Sequence, residues 1–262
     1  MNTIGDYIND GCVDIVPILS LVLNRGKASL ISSSDYQLKK SEIIKLNELI
    51  SKRQAGVPFA YLSENKGFYH LNFKVTNKTL IPRPETELLV DIILEVLDKD
   101  NNYDIVDLGT GSGVIAITVA DKRPNWQVTG TDISLSALAI AKQNRTTDIN
   151  FIQGSWFDAL GSSKFDLIVS NPPYVAESDP HLEELTFEPV IALTSGEDGL
   201  VDIRTIINDA PAHLKDGGYL LLEHGHDQQD SISKLLAKDF HNITRYKDYN
   251  GIDRAVLAKL KN

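Results

Sequence analysis

The chain has a single cysteine, Cys12, which excludes an internal disulfide framework. One thiol fits a reducing compartment, and in an apolar helical stretch it reads as a small core residue. Basic charge is scarce too: 26 Lys and Arg stand against 36 Asp and Glu, a net charge of −10. The densest basic group, Lys39, Lys40 and Lys45, is thin. Such a surface repels phosphate backbones, so stable nucleic-acid binding is not expected. No apolar run approaches the roughly 18–20 residues that span a bilayer. Asp6, Asp10 and Asp14 occupy the region where a secretion signal would carry positive charge before an apolar core. A cytoplasmic protein with no membrane partner is expected. Repeats and low-complexity tracts are missing. His224 and His226 have no third ligand at useful spacing, so no metal is expected.

What is present is ordinary globular composition with a change of period along the chain. Residues 1 to about 55 read as helical: Ile15, Ile18, Leu19, Val22 and Leu23 share one helix face, and Asn24-Arg25-Gly26 stops it. Ile43, Ile44, Leu46, Leu49 and Ile50 form a second stripe, with Ser41 as its cap and Gly56-Val57-Pro58 as its end. Phe68, Phe73 and Val75 then alternate with polar residues, which predicts a β-hairpin within 59–81. From residue 82 onward strands alternate with helices. Strands are predicted at 104–108, 126–130, 149–153, 165–170 and 219–223, with two closing strands at 242–246 and 254–259 that pair antiparallel. This is an α/β unit with a mostly parallel sheet covered on both faces. The domains expected are 1–58 helical, 59–81 a hairpin linker, and 82–262 the α/β unit.

The most specific residues are Asn171-Pro172-Pro173-Tyr174, at the end of the strand 165–170. The Asn171 side-chain carbonyl and the Pro172 backbone carbonyl are two acceptors that can take both N–H groups of one planar –NH2. The two prolines stiffen the loop before a ligand arrives. Tyr174 offers a flat face for a planar group. The plain alternative is a Pro-Pro turn closed by a surface tyrosine.

A second constellation follows the first strand of the α/β unit. Gly109-Thr110-Gly111-Ser112-Gly113, preceded by Asp107, lets the backbone turn tightly and approach a ligand beyond the strand ends. The Gly-x-Gly-x-Gly spacing suits a methionine–adenosine ligand better than the pyrophosphate of a dinucleotide. Asp132 ends the next strand, roughly 20 residues on, where a carboxylate can bond ribose hydroxyls. It could instead cap the helix that starts near Ser134; the ribose reading is favoured.

With these segments in view, the chain resembles the release-factor glutamine methyltransferases over nearly its whole length. The resemblance is carried by Gly56-Val57-Pro58, Leu80-Ile81-Pro82-Arg83-Pro84-Glu85-Thr86-Glu87, the Gly loop 109–113, Asn171–Tyr174, Glu188-Pro189, Asp198-Gly199-Leu200, and Asp248 with Gly251 and Arg254. It implies a Rossmann-like S-adenosylmethionine-dependent domain with a seven-stranded sheet, preceded by a helical domain that docks substrate. It implies methyl transfer from S-adenosyl-L-methionine, leaving S-adenosyl-L-homocysteine, to the glutamine N5 of the Gly-Gly-Gln loop of peptide chain release factors. Gly109, Thr110, Gly111, Ser112, Gly113, Asp132, Trp156 and Asn171 would hold the cofactor. Asn171, Pro172, Pro173 and Tyr174 would bind substrate, with Asn171, Pro172 and Tyr174 catalytic. Two departures are visible: Ser195-Gly196-Glu197 replaces a Gly-Gly before Asp198, and the fifth strand ends Glu223-His224-Gly225 rather than Glu-Ile-Gly.

Rival readings use the same residues. An adenine-N6 or cytosine-N4 DNA methyltransferase, or a guanine-N2 RNA methyltransferase, also binds an exocyclic –NH2, but it must grip a polyanion. A dinucleotide oxidoreductase explains the Gly loop and leaves Asn171–Tyr174 without a role. A non-catalytic module built on residues 1–80 leaves both unexplained. The acidic run Glu177, Asp179, Glu183, Glu184, Glu188 reads as a solvated face.

Overall fold

The computed structural model describes residues 2–261 and divides into two compact units, 1–65 and 66–262. The first unit is helical: α1 (Ile4–Asn9), α2 (Ile15–Leu23), α3 (Lys27–Ser32), α4 (Lys40–Gln54) and α5 (Phe59–Ser63). Its stripes close on one core, with Ile4, Ile18, Leu19, Leu30 and Leu46 fully buried. Burying each such side chain is worth roughly 1.5–3 kcal/mol, more than any propensity difference among these helices. Asn24 ends α2 in the left-handed region at φ 51°, a conformation Asn tolerates. α4 starts before Ser41: Lys39 holds the cap position, and the Glu42 carboxylate accepts its backbone N–H at 2.7 Å. Cys12 is partly buried against this core.

Residues 59–63 are helical where the hairpin was expected to begin. Pro58 precedes the apolar run Phe59-Ala60-Tyr61-Leu62, which has no period of two, and its backbone is set for a helix start. The hairpin itself is shorter, β1 (Asn65–Phe68) and β2 (Leu71–Lys74). Phe68 and Phe73 meet edge to face, 6.1 Å between ring centroids, inside the core of the second unit.

That second unit continues with α6 (Glu87–Val96), β3 (Asp104–Leu108), α7 (Val114–Lys122), β4 (Gln127–Asp132), α8 (Leu135–Asn144), β5 (Asn150–Gln153) and β6 (Phe165–Ser170). It ends with α9 (Val201–His213), β7 (Leu214–Glu223), α10 (Gln229–Leu236), β8 (Phe240–Lys247) and β9 (Asp253–Leu260). Seven strands form one sheet in the order β5-β4-β3-β6-β7-β9-β8. The pairs β3–β4, β4–β5, β3–β6 and β6–β7 are parallel. β9 runs antiparallel to β7 on one side and to β8 on the other, so the last strand is inserted rather than added at the edge.

Strand alternation explains the layers. Ile105, Leu167, Val169 and Leu221 enter one core, against α6 and α7. Val106, Ile168, Leu220 and Leu222 enter the other, against α9 and α10. Two buried faces need near-continuous apolar strands, which these are. Polar exceptions are buried too: Asp107 among the apolar side chains of β3, Thr131 on β4, Ser170 on β6 and Glu223 on β7. None of the described helices is long and apolar enough to cross a membrane.

Candidate active site

β3 pairs with β4 on one side and β6 on the other, so the sheet's order reverses at β3. Crevices of this kind, beyond the carboxyl ends of the strands, are where open α/β sheets bind ligands. Register decides which residues meet there. Leu108 is opposite Thr131 and also opposite Ser170. The next residue on each strand is therefore Gly109, Asp132 and Asn171, three of the residues singled out in the sequence. They share a cavity of about 400 Å3 with Gly111, Trp156 and Pro173, a size in the range of small-molecule sites.

The Gly loop is shaped by left-handed backbone at Gly109, Gly111 and Gly113, with φ of 70°, 56° and 86°. At Gly113 a Cβ would also stand 2.7 Å from Ile117 Cδ1, so a side chain there would be strained by its backbone and would have to displace the end of Ile117. Over Gly109 lies the Trp156 ring, 3.2 Å from where a Cβ would be. Trp156 is itself left-handed at φ 45°, a conformation uncommon outside glycine, and its indole N–H donates to Asp202 Oδ1 at 3.2 Å.

Asp132 does not cap α8. Ser134 does, its Oγ accepting from Ala137 N at 3.2 Å. The Asp132 carboxylate takes the Gly111 N–H on Oδ2 at 2.9 Å and the Ser134 N–H on Oδ1 at 2.8 Å. Burial pushes its pKa up, and the two backbone donors pull back against it. Each oxygen retains a lone pair for a ligand hydroxyl.

Asn171 donates from Nδ2 to Thr86 Oγ1 at 3.1 Å, which leaves Oδ1 as the acceptor for a ligand. Among the described residues, no hydrogen bond reaches the Pro172 carbonyl. The loop that carries both is wedged from behind. Gly199, at φ 70°, has the Tyr174 carbonyl 2.2 Å from where a Cβ would be, and the Gln228 amide donates to that same carbonyl at 2.9 Å.

The cavity does not gather every expected residue. Thr110, Ser112 and Gly113 lie beneath its wall rather than on it. Thr110 Oγ1 donates to Asp107 Oδ2 at 2.6 Å, a bond inside the protein. Pro172 is buried, and Tyr174 turns its ring into the core beside α9 and its hydroxyl to Glu223 Oε1 at 3.3 Å. A face of Tyr174 over the substrate amide is thus not what this arrangement presents; the ring braces the loop instead. Glu188 departs from the solvated-face reading of its acidic run. It is buried, accepts the Ile81 N–H at 2.9 Å, and forms an ion pair with Arg83. This ties the Pro82–Glu87 segment to the chain beyond the Asn171 loop. His224 is buried, its ring nitrogens facing the Gly225 carbonyl at 2.8 Å and Gln229 at 3.1 Å, while His226 is exposed.

Asp202 was not found by sequence reading, and Thr86 was singled out only as part of the motif at 80–87. An acid in the first turn of a helix is ordinary dipole chemistry, so Asp202 carries no signal of its own. Thr86 sits in a motif whose helix-start chemistry already accounts for it.

The buried Asp107 carboxyl responds to pH. Burial pushes Asp107 up to about 7, against the bonds from Thr110 and Ala116. Unfolded, it titrates near 3.8. Between these values the folded chain binds the extra proton, so this group's contribution to stability falls as pH rises through the window. Asp107→Asn keeps the size and cannot ionise. It is expected to gain on the wild type in urea midpoint as pH goes from 5 to 8 without cofactor. A constant difference across that range would mean that Asp107 stays ionised in the fold.

Comparison with known proteins agrees with the geometry. The family model described as "Methyltransferase small domain" matches residues 86–253. A release factor glutamine methyltransferase from Coxiella burnetii is 42% identical over 252 residues, covering 94% of this chain and 91% of that protein. One from Xylella fastidiosa (strain Temecula1) is 44% identical over 254 residues, covering 94% and 92%. Among solved structures, a methyltransferase from Pyrococcus furiosus superimposes with a TM-score of 0.57 at 18% identity, covering 80% of this chain and 98% of that one.

Proposed function

The chain belongs to the release factor glutamine methyltransferases, and from that membership we propose that it methylates N5 of the glutamine in the Gly-Gly-Gln loop of peptide chain release factors. The observation that carries the reading is the pair of acceptors at the end of β6. Asn171, on the wall of a cavity of cofactor size, and the adjoining Pro172 carbonyl carry acceptor oxygens with no hydrogen-bond partner among the described residues.

The residues present fit S-adenosylmethionine. Asp132 has free lone pairs for ribose hydroxyls, Trp156 supplies a flat apolar wall, and the glycines of 109–113 let the backbone come close. When bound, that cofactor supplies an electrophilic methyl group on a sulfonium.

The remaining work falls to the chain. A carboxamide nitrogen is a weak nucleophile because its lone pair is delocalised. Asn171 and Pro172 accept its two N–H groups and so fix the plane and direction of attack. Both acceptors also stabilise the positive charge that grows on nitrogen during transfer. Positioning alone contributes up to roughly 7–11 kcal/mol in favourable cases. No side-chain base is needed before transfer, since the product cation is a far stronger acid than the amide and loses its proton to water.

Residues 1–58 would dock the folded release factor, because one loop glutamine brings little binding surface. In support, this unit has its own core and keeps Val13, Ile31 and Ile44 exposed.

The test is incubation with methyl-labelled cofactor and a purified release factor, repeated with its loop glutamine changed to alanine. Label is expected only in the first. Equal label in both, or label that appears only when DNA or RNA is added, would overturn the proposal.

A further inference from the structure

Two carboxylates stand on the cavity wall among the described residues, Asp132 and Asp202. Asp132 has its part, on the ribose. Asp202, in the first turn of α9, is held by two hydrogen bonds of its own. Its backbone N–H donates to Ser195 Oγ at 2.7 Å, and Ser195 is buried. Its Oδ1 accepts the indole N–H of Trp156 at 3.2 Å. Oδ2 has no hydrogen-bond partner among the described residues and is not enclosed by protein. The wall thus carries a fixed carboxylate with one oxygen engaged and the other open.

The ring bonded to Asp202 is itself held in place. Left-handed backbone in a bulky residue, as at Trp156 with φ 45°, persists only where the surroundings over-determine it. Here the Thr131 hydroxyl donates to the Trp156 carbonyl at 3.3 Å, Gly109 leaves the ring its room, and Asp202 takes the indole N–H. A fixed aromatic ring on a cavity wall is a platform for a planar group. In S-adenosylmethionine that group is the adenine base. An acceptor bonded to the edge of the ring stands at the edge of whatever stacks on it. The cofactor offers three kinds of donor: the ribose hydroxyls, the α-ammonium and the 6-amino group of the base. Asp132 serves the hydroxyls. The ammonium is at the end of the cofactor opposite the base. The 6-amino group remains for Asp202.

We propose that Asp202 selects the base: Oδ1 fixes the Trp156 ring, and Oδ2 accepts from the 6-amino group of the adenine stacked on it. The proposal rests on the reading of the cavity as an S-adenosylmethionine site and adds how that site tells one base from another. A carboxylate placed to accept an N–H rejects a ligand that lacks it, because the oxygen is then left unpaired.

The test is calorimetric titration of the full chain with S-adenosyl-L-homocysteine and with its deamino analogue, which has hydrogen in place of the 6-amino group. If the wild type does not bind S-adenosylhomocysteine, the reading of the cavity falls and the proposal with it. If it does, it is expected to prefer the amino ligand about 10- to 100-fold. Asp202→Ala removes the acceptor, so the two ligands should then bind within about threefold of each other. Were Asp202 only a support for Trp156, both ligands would weaken alike and the preference would persist. Asp202→Asn separates the two roles further. Its carbonyl must face the Trp156 N–H, since an –NH2 there would set donor against donor. The –NH2 then meets the 6-amino group. Affinity for the deamino ligand should stay within about threefold of wild type, while S-adenosylhomocysteine weakens about 10- to 100-fold. Should Asp202→Ala fail to fold, Asp202→Asn decides the matter. A wild-type preference below about threefold overturns the proposal. So does a preference that survives in Asp202→Ala, or an Asp202→Asn protein that separates the two ligands as the wild type does.

Discussion

Replacing Asn171 with alanine is expected to lower kcat about a thousandfold or to background, while cofactor Kd rises no more than about threefold. The size follows from what is lost. Removing a single preorganised polar group aimed at developing charge typically costs about 10²–10³ in kcat. Asn171 does this and also orients the nucleophile, so its removal sits at the upper end or beyond. The cofactor's hold is spread over the Gly loop, Asp132 and the Trp156 wall, and Asn171 is only one residue of that cavity. Loss of the side chain also leaves Thr86 Oγ1 without its donor, a modest cost to stability that thermal unfolding would record. Single-turnover rates at saturating cofactor, beside calorimetric Kd, check the split. Near-normal methylation of the release factor by Asn171→Ala would remove this residue from the chemistry and leave the Pro-Pro turn as a structural corner.

Local pattern and long-range contact account for what was legible in the sequence. The strand–Gly loop–helix unit at 104–122 could be read because its cause is local: an apolar strand, three glycines in seven residues, then a helical stripe. The same holds for Asn171, which stands directly after an apolar strand. Parallel register then brings Gly109, Asp132 and Asn171 together without any further signal, since each stands at the end of its own strand. What escaped depends on partners distant in sequence. Glu188 looked like one more solvated acid, and only the fold brings Arg83 and the Ile81 N–H to it from over 100 residues away. The direction of the Tyr174 ring was equally unreadable, because a tyrosine after Pro-Pro can face either side of a loop. Its side is decided by Glu223, 49 residues on. Helix α5 was missed for another reason: five residues are too few for a period to declare itself.

The second large effect belongs to Asp132. Its alanine variant is expected to weaken cofactor binding by roughly 30- to 150-fold in Kd, or about 2–3 kcal/mol, while kcat at saturating cofactor stays within about threefold. Charge-assisted bonds to ribose hydroxyls account for most of this. The Gly111 N–H, which now ends on Oδ2, accounts for the rest, because without it the loop is less well held before ligand arrives. Asparagine should not rescue the site, although it is nearly the same shape. Both carboxylate oxygens accept a backbone N–H, Gly111 on one and Ser134 on the other. An amide –NH2 must therefore face one of these donors whichever way it turns. Asp132→Asn is accordingly expected to bind cofactor little better than Asp132→Ala, whereas a residue that bonded ligand alone would tolerate the swap. Ser134 remains as the cap of α8, so thermal stability should fall much less than affinity. Calorimetric titration of the three proteins decides it. An unchanged Kd in Asp132→Ala would mean that the carboxylate serves the loop and the start of α8 and nothing else.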